Sequence, residues 1–529
     1  MINHLVEELN RLKLDYNFIV VRTRHERKSA LMTRLVQACL QLHRVSIQLN
    51  LDLPSSDQGP LDDALVLAAL ALVHLYRLGD RPAILKAVVV LEYLLPHSKH
   101  NYEAMLVLIQ LYMYLGLGAL AIDRYARLSI KNIQHASISW ILFPRLSRIH
   151  PHPVQVLSGG PASSVFNPLQ EVKVALDWYD NSGTMTSKAM DRAITGNQYP
   201  TIIGLLETQE LLQSEVSRMI LHHEHMNLTQ LQNHVPIAYK EAGTVAETIL
   251  DSRDRSAFPN YEPTGQAAFV DLIPSVVPRQ VDAHLSWLSC ERESQMILGH
   301  LETRERKGEW PMLKPLIPKD LPQDLRAGST AVEVESLSLL QDLDRLVSAV
   351  YAAASVLTDV VASELEQYTK RISTLKDHLQ SFARKEGLPL GYLKLEQGRS
   401  IPTWICFHGY FTLLSTARSV KNVCSSLGKV QLSEKQSSME IQAKFSGIAS
   451  ECEKLVEVIN AQARTQRENI KPTPFREALL NEVTGERSTA TGNAFVEVIG
   501  TEVLEGICTK IGEAWIDAFD GVIKSSAPS

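Results

Sequence analysis

The 529-residue sequence has few of the features that mark secreted or membrane-spanning chains. Its six cysteines are scattered without a CxxC pair, so we expect buried, reduced thiols in a reducing compartment. The N-terminal residues MINHLVEELNRLKL lack the apolar core of a signal peptide. The longest uncharged apolar run, Ala64–Val73, is too short to span a bilayer. These absences predict a cytosolic or nuclear protein, and the cytoplasm is the location we expect.

Common catalytic motifs are also missing, because the chain contains neither GxSxG nor the phosphate-binding GxxxxGK[ST]. The net charge of −6 argues against a nucleic-acid-binding role for the chain as a whole. A local basic cluster, Arg22, Arg24, Arg27 and Lys28, is a candidate contact for ribosomal RNA, since phosphate contacts need clustered cations. The alternative for this cluster is an ordinary solvated helix face.

What the sequence does contain is helical periodicity, with no sizeable stretch of strand alternation. Two Leu-Gly turns, Leu78-Gly79 and Leu115-Gly116, lie 37 residues apart, close to the period of tetratricopeptide-like helical hairpins. Such hairpins stack into a superhelix that presents surfaces to other proteins. The sequence therefore predicts an all-α fold of helical-hairpin repeats, and a scaffold is more typical of this fold than a catalyst.

Three regions are predicted along the chain: 1–150 with helical repeats, 151–330 helical with Pro-rich loops, and 331–529 with long helices. In the first region, one helix is expected over Ile133–Ile149, kinked or stopped by Pro144. In the last region, Val332–Arg384 has no Pro or Gly, and because such a run is long for one globular helix it predicts two helices or a coiled-coil-like arm. A further helix is predicted over Phe495–Ile523.

Two motifs suggest chemistry but have simpler interpretations. Gly116, Gly118 and Ala121 match the dinucleotide pattern GxGxxA, but a helical pattern precedes them where that motif needs a strand, so a hairpin turn is favoured. His222 and His225 share a helix face beside Glu224, yet their spacing differs from the HExxH of metalloproteases. A solvated histidine-rich helix end is the favoured interpretation here, and no metal or other cofactor is predicted.

The segment VLIQLYMYLGLGALAIDRYARLSIKNIQH, residues 107–135, resembles the auxiliary subunit of the N-terminal acetyltransferase B complex. The resemblance rests on Leu115-Gly116, on Tyr125 with Leu128, and above all on the KNIQH that ends at His135. Asp271–Gln280 and Arg306–Trp310 also resemble fungal members.

The resemblance implies a non-catalytic protein that binds a small acetyl-coenzyme-A-dependent catalytic subunit and helps place it at the ribosome. The complex acetylates nascent chains that begin Met-Asp, Met-Glu, Met-Asn or Met-Gln, and in fungi this bears on actin cables and tropomyosin. The catalytic subunits bind the cofactor through an R/Q-x-x-G-x-G/A loop at a helix start. In this chain only Arg384-Lys-Glu-Gly387 begins that pattern, and Leu388-Pro389 follows, which agrees with a non-catalytic role.

Family members carry a substantial helical-repeat half before the matching segment, whereas here the segment begins about a hundred residues from Met1. We therefore expect either a missing N-terminal half, which would supply much of the binding interface with the catalytic subunit, or a divergent short form. The candidate partner-binding residues are Tyr114, Arg124, Tyr125 and Lys131, with a core position as the alternative for Tyr125. Two other hypotheses remain: a general helical-repeat scaffold in trafficking or cytoskeletal assembly, and a metal-dependent enzyme using His222 and His225.

Overall fold

The computed structural model describes residues 2–48, 59, 61–156, 164–233, 251–278, 281–307, 328–352, 363–374, 391–395, 400–427, 435–485 and 490–527. Within these residues, α-helices dominate and the only strands form two short antiparallel hairpins. The predicted all-α class is therefore confirmed.

Antiparallel helices joined by tight turns build the N-terminal part of the molecule. Gly79, with φ +108°, ends the third helix, and Pro82 occupies the cap of the fourth, where its fixed φ suits a helix start. Asn101 caps the fifth helix by accepting a hydrogen bond from the backbone N–H of Ala104 at 3.0 Å. The helices are α1 Ile2–Arg22, α2 His25–Gln48, α3 Asp62–Arg77, α4 Ala83–Leu94, α5 Tyr102–Tyr114, α6 Gly118–Leu128 and α7 Gln134–Ser137.

The prediction of one helix over Ile133–Ile149 is wrong beyond the first turn. After α7 the chain forms only two 3₁₀ turns, Ser139–Ile141 and Leu146–Arg148. Pro144 cannot supply a backbone N–H, and Arg145 adopts a left-handed conformation with φ +60°, so a continuous helix is excluded.

The middle of the chain begins with a β-hairpin that the sequence did not predict, in which Val154 pairs with Phe166. The next helix runs without a break through Gly183, although the sequence pattern predicts separate helices over 167–178 and 184–195. The composition of residues 252–280 predicts a mostly irregular segment, and 252–278 are irregular apart from one helical turn, while 279–280 lie outside the described residues. The elements are β1 Val154–Val156, β2 Ser164–Phe166, α8 Pro168–Thr195, α9 Tyr199–Ser214, α10 Val216–Asn233, α11 Phe269–Leu272 and α12 Val281–Lys307.

The C-terminal part contains the longest helix among the described residues, Lys435–Ile470. Of the run predicted over Val332–Arg384, residues 332–352 and 363–374 are helical, and the rest lies outside the described residues. The helix predicted over Phe495–Ile523 is divided in two at Gly500, whose φ of +86° interrupts it. The elements are α13 Ala331–Ala352, α14 at 363–374, β3 Tyr392–Lys394, β4 Ser400–Pro402, α15 Trp404–Leu427, α16 Lys435–Ile470, α17 Thr473–Thr484, α18 Ala490–Ile499 and α19 Thr501–Ser526.

One connected set of buried apolar side chains extends from α1 to α19. Helix α19 packs against α16 and α15 and also reaches back to α4 and α6 in the N-terminal repeats. The division into three regions stays a prediction. Among the residues that the structure describes, none of the helices combines the length and the apolar character needed to cross a membrane.

Candidate functional site

The Leu115-Gly116 turn joins α5 to α6 and is enclosed by other parts of the chain. Gly116 has φ +69°, and a Cβ added there would lie 2.6 Å from Cδ2 of Phe407. A Cβ added to Gly118 would lie 2.4 Å from Cβ of His150. Both glycines therefore allow close packing at the turn. Because helix α5 precedes them, the hairpin-turn interpretation is confirmed and the dinucleotide pattern is accidental.

The C-terminal helix closes this turn. Nε1 of Trp515 in α19 donates a hydrogen bond to the carbonyl oxygen of Leu115 at 2.8 Å, and the Trp515 side chain is fully buried. Phe519 of the same helix packs against Phe407, with ring centroids 4.9 Å apart. The turn is thus held by residues about 400 positions later in the chain.

Arg124, one of the predicted partner-binding residues, lies in a buried ionic cluster. Its Nε and Nη2 donate to Glu92 Oε1 at 3.0 and 2.7 Å, and Nη2 also reaches Oε2 at 2.8 Å. Tyr112 donates to the same carboxylate, and Lys510 Nζ lies 2.7 Å from its Oε2. Burial raises the pKa of Glu92, but Arg124 and Lys510 outweigh it, so the pKa lies below the usual value. The cluster joins α4, α5 and α6 to α19.

The other three predicted partner-binding residues occupy different environments. Tyr125 is buried and packs edge-on against Phe143, with ring centroids 5.6 Å apart, in agreement with the alternative prediction of a core position. Tyr114 is half-buried, and its hydroxyl lies 2.6 Å from that of Tyr76 in α3. Lys131 is exposed. The structure therefore does not gather the four residues into one exposed surface, and their role stays a prediction.

A second buried ionic cluster, which sequence reasoning missed, centres on Glu333 at the start of α13. Arg145 Nε and Nη2 donate to its two carboxylate oxygens at 3.0 and 2.9 Å. Trp287 Nε1 donates to Oε1 at 3.0 Å, and Arg148 and His408 lie 3.7 and 3.3 Å from that oxygen. Burial raises the pKa of Glu333, but Arg145 and His408 outweigh it and hold the pKa well below its usual range.

The Glu333 cluster connects several elements. The Arg145 guanidinium lies over the rings of Trp287 and Trp404, 4.7 and 5.1 Å from their centroids. Arg148 forms a two-point pair with Glu291 at 2.5 and 2.7 Å. Through these contacts the turn Leu146–Arg148 is fixed to α12, α13 and α15. In the sequence, the feature that could have indicated this buried cluster is the pair of arginines inside the apolar run SWILFPRLSR.

The histidine-rich segment of α10 lies in the middle of that helix, and its histidines are half-buried, so the expected solvated helix end is wrong. Glu224 is buried, and its carboxylate accepts hydrogen bonds from the backbone N–H groups of Arg145 and Ser147 at 2.8 and 2.7 Å. Burial raises the pKa of Glu224 to about 7, against the effect of these donors. His223 Nδ1 lies 2.8 Å from Gln295 Oε1. In the described part of the chain, no group of three or more His, Cys, Asp or Glu is arranged to hold a metal ion.

The basic cluster lies at the junction of α1 and α2. Arg22, Arg24 and Arg27 are exposed. Lys28 is half-buried, and its Nζ donates to the carbonyl oxygen of Val20 at 2.9 Å. Three of the four predicted cations therefore face solvent at one end of this helix pair, while Lys28 helps to close the end of α1.

A small pocket lies beside α5, between Gln110, Trp140 and the segment around Arg253. Its two arginines are paired with carboxylates: Arg253 with Asp251 at 2.6 Å, and Arg255 with Asp271 at 3.3 Å. The charges around the pocket are thus balanced within the chain.

Comparison with protein families gives a match over residues 1–264, half of the chain, to a family described as the non-catalytic subunit of the N-acetyltransferase B complex, NatB. The N-terminal acetyltransferase B complex subunit MDM20 of Saccharomyces cerevisiae is 29% identical over 150 residues, which cover 28% of this chain and 18% of the yeast protein. The human N-alpha-acetyltransferase 25, NatB auxiliary subunit, is 36% identical over 78 residues, covering 15% and 8% of the two chains.

Solved structures of NatB acetyltransferase complexes share the fold. A complex bound to a bisubstrate inhibitor contains a chain with a TM-score of 0.53 and 13% identity, covering 90% of this chain and 54% of that one. A complex bound to CoA and MES gives a TM-score of 0.53 and 12% identity, covering 93% and 56%. The chain thus spans about half the length of the chains that it resembles in these structures. Because the sequence identities are low, these matches show a similar fold and nothing further.

Proposed function

The chain belongs to the family of non-catalytic subunits of the N-terminal acetyltransferase B complex, and from this premise we propose that it binds the catalytic subunit of NatB. In this role it anchors the enzyme at the ribosome for co-translational acetylation of N-termini that begin Met-Asp, Met-Glu, Met-Asn or Met-Gln. It acts in the cytoplasm, and in fungi its action bears on actin cables and tropomyosin. The observation that carries the proposal is the family match over residues 1–264, which contain the stacked hairpins α1 to α6.

The fold supports a binding role, because stacked helical hairpins offer extended surfaces to a partner. Tyr114 and Lys131 are the predicted contacts that retain solvent exposure, so we assign direct contact with the partner to them. Arg124 and Tyr125 contribute by holding α6 in place against α4 and Phe143.

Co-purification tests the proposal. The chain is expressed with a small acetyl-coenzyme-A-dependent catalytic subunit, and the complex is isolated through a tag on the chain alone. We expect recovery in a one-to-one ratio, and acetylation of a Met-Asp peptide above that given by the catalytic subunit alone. A Ser-Ala peptide serves as the control substrate. Recovery of the chain without the catalytic subunit would contradict the proposal.

Ribosome anchoring is assigned to Arg22, Arg24, Arg27 and Lys28, because exposed clustered cations bind phosphate groups in a salt-dependent way. Replacing the three exposed arginines by Gln is expected to weaken co-sedimentation with ribosomes and to flatten its dependence on salt. Lys28→Gln alone is the matched control, with a smaller effect expected because its ammonium is engaged by the Val20 carbonyl. Unchanged, salt-sensitive association of the triple variant would contradict this assignment.

A further inference from the structure

A buried carboxylate holds the turn at residues 145–148, which we call the arginine turn. Arg145 begins the turn with a left-handed φ of +60°. Its backbone N–H donates to Glu224 Oε1 at 2.8 Å, and the backbone N–H of Ser147 donates to Glu224 Oε2 at 2.7 Å. Backbone donors that converge in a turn form a concave site for an anion. Because each oxygen of Glu224 accepts one of the donors, the arrangement requires the ionised carboxylate.

Glu224 lacks the counter-charge that the neighbouring carboxylates have. Arg145 pairs with Glu333, and Arg148 forms its two-point pair with Glu291. In the part of the chain that the structure describes, no cationic side chain forms an ion pair with Glu224, which is only 1% exposed. Three buried carboxylates thus share two guanidinium groups, and an unpaired buried charge is costly. Burial accordingly raises the pKa of Glu224 to about 7, although the backbone donor and Arg148 favour the charged form.

The other titratable groups around α10 do not supply the missing charge near neutral pH. They are His222, His223 and His225 on the helix itself, Lys173 and Asp177 on α8, and His408 on α15. Burial lowers the pKa of all four histidines, so they stay neutral as the pH falls through 7. Lys173 and Asp177 act on His225, and helix α9 contains no Lys or Arg. Glu224 is therefore the group beside the arginine turn that takes up a proton.

We propose that Glu224 is a pH-sensitive switch on the arginine turn. The ionised carboxylate accepts from both backbone donors and keeps the turn closed. Proton uptake turns one oxygen into a hydroxyl that faces an N–H, so one backbone donor loses its acceptor and the turn loosens. Arg145 and Arg148 fix this turn to α12, α13 and α15. A fall in pH through 7 therefore loosens the connection between the repeats and the later helices, whichever partner the chain binds.

Hydrogen exchange of the intact chain at pH 8 and pH 6 tests the switch, with each rate corrected for the intrinsic effect of pH. For a group that titrates at pH 7, the ionised fraction falls from about nine tenths at pH 8 to about one tenth at pH 6. We expect the protection of the backbone N–H groups of Arg145 and Ser147 to fall about ten-fold. The turn around Gly79 is the internal control, and its corrected protection should stay the same.

The variant Glu224→Gln is neutral at every pH and keeps a single acceptor oxygen. We expect low protection of the arginine turn at both pH values, with circular dichroism verifying the fold. His223→Gln is the matched control on the same helix, and it should retain the ten-fold step because His223 is neutral throughout this range.

Equal corrected protection at pH 6 and pH 8 in the unmodified chain would overturn the proposal, and this result does not depend on whether a variant folds. A step that persists in Glu224→Gln, or one that disappears in His223→Gln, would assign the effect to another group and overturn it as well.

Discussion

The two Leu-Gly turns use the same dipeptide but differ in their surroundings. Gly79 and Gly116 both have positive φ, +108° and +69°, and both reverse the chain between antiparallel helices. No atom lies within 4 Å of a Cβ added to Gly79, whereas Phe407 and the backbone of Thr403 meet one added to Gly116. The first turn therefore only reverses the chain between two helices. At the second turn, the C-terminal part of the chain also packs onto the repeats.

The largest expected effect comes from Gly116→Ala. The backbone of the new alanine must adopt a left-handed conformation, and its Cβ must displace the ring of Phe407. Together these two effects are expected to lower the free energy of unfolding by about 3 kcal/mol. Gly79→Ala is the matched control and is expected to cost about 1 kcal/mol, because only the conformational penalty remains. Urea unfolding of both variants measures the difference. Equal losses would show that the enclosure of the second turn has no energetic consequence.

A smaller effect is expected for Trp515→Phe. The substitution leaves the carbonyl oxygen of Leu115 without its buried donor and removes part of a buried ring, at a cost of about 2 kcal/mol. Hydrogen exchange should show faster opening of α19 and of the second turn, with the α3–α4 turn around Gly79 unchanged. Faster exchange at both turns would mean that the two turns open together.

The smallest effect on the free energy of unfolding is expected from a fall in pH, through protonation of His150 beside the second turn. Burial, assisted by Lys524, lowers the pKa of His150 to about 4, from an ordinary value near 6.5. Between these values the unfolded chain binds a proton that the folded chain excludes, so stability present above pH 6.5 is lost as the pH falls toward 4. At pH 5.5 the loss is about 1.4 kcal/mol.

The variant His150→Leu isolates this contribution. Its unfolding free energy should depend less steeply on pH between 6.5 and 5 than that of the unmodified chain. Other buried histidines, such as His43 and His223, also have a pKa of about 4 and supply the slope that remains. Identical slopes for the two proteins would contradict the assignment to His150.

What the sequence predicted well was local. The hairpin α3–α4 follows from Gly79 and Pro82, whose backbone preferences act within a few residues. The break within 133–149 was only partly foreseen, because Arg145 is held by distant residues: Glu224 accepts from its backbone N–H, and Glu333, 188 residues later, accepts from its side chain. Likewise, Arg124 looked like a surface residue on an amphipathic helix, and its burial depends on Glu92 and on the distant Lys510.

The same limit applies to exposed apolar residues. Ile203 in α9 has the apolar character of a core residue, and only the packing of the helix shows that 60% of its surface stays exposed. The sequence pattern predicts a helix over 199–226, but it does not predict the break at Glu215 that separates α9 from α10.

The reach of α19 back to the repeats has a consequence for the order of folding. Lys510 and Trp515 contact Glu92 and Leu115 across 418 and 400 residues of chain. During synthesis the helices α4 to α6 therefore emerge long before the helix that completes their interior. Contacts of such separation slow folding and leave apolar surface exposed in the meantime. The interior of α4 to α6 is incomplete until α19 has emerged, so the newly made chain is expected to depend on chaperones until then.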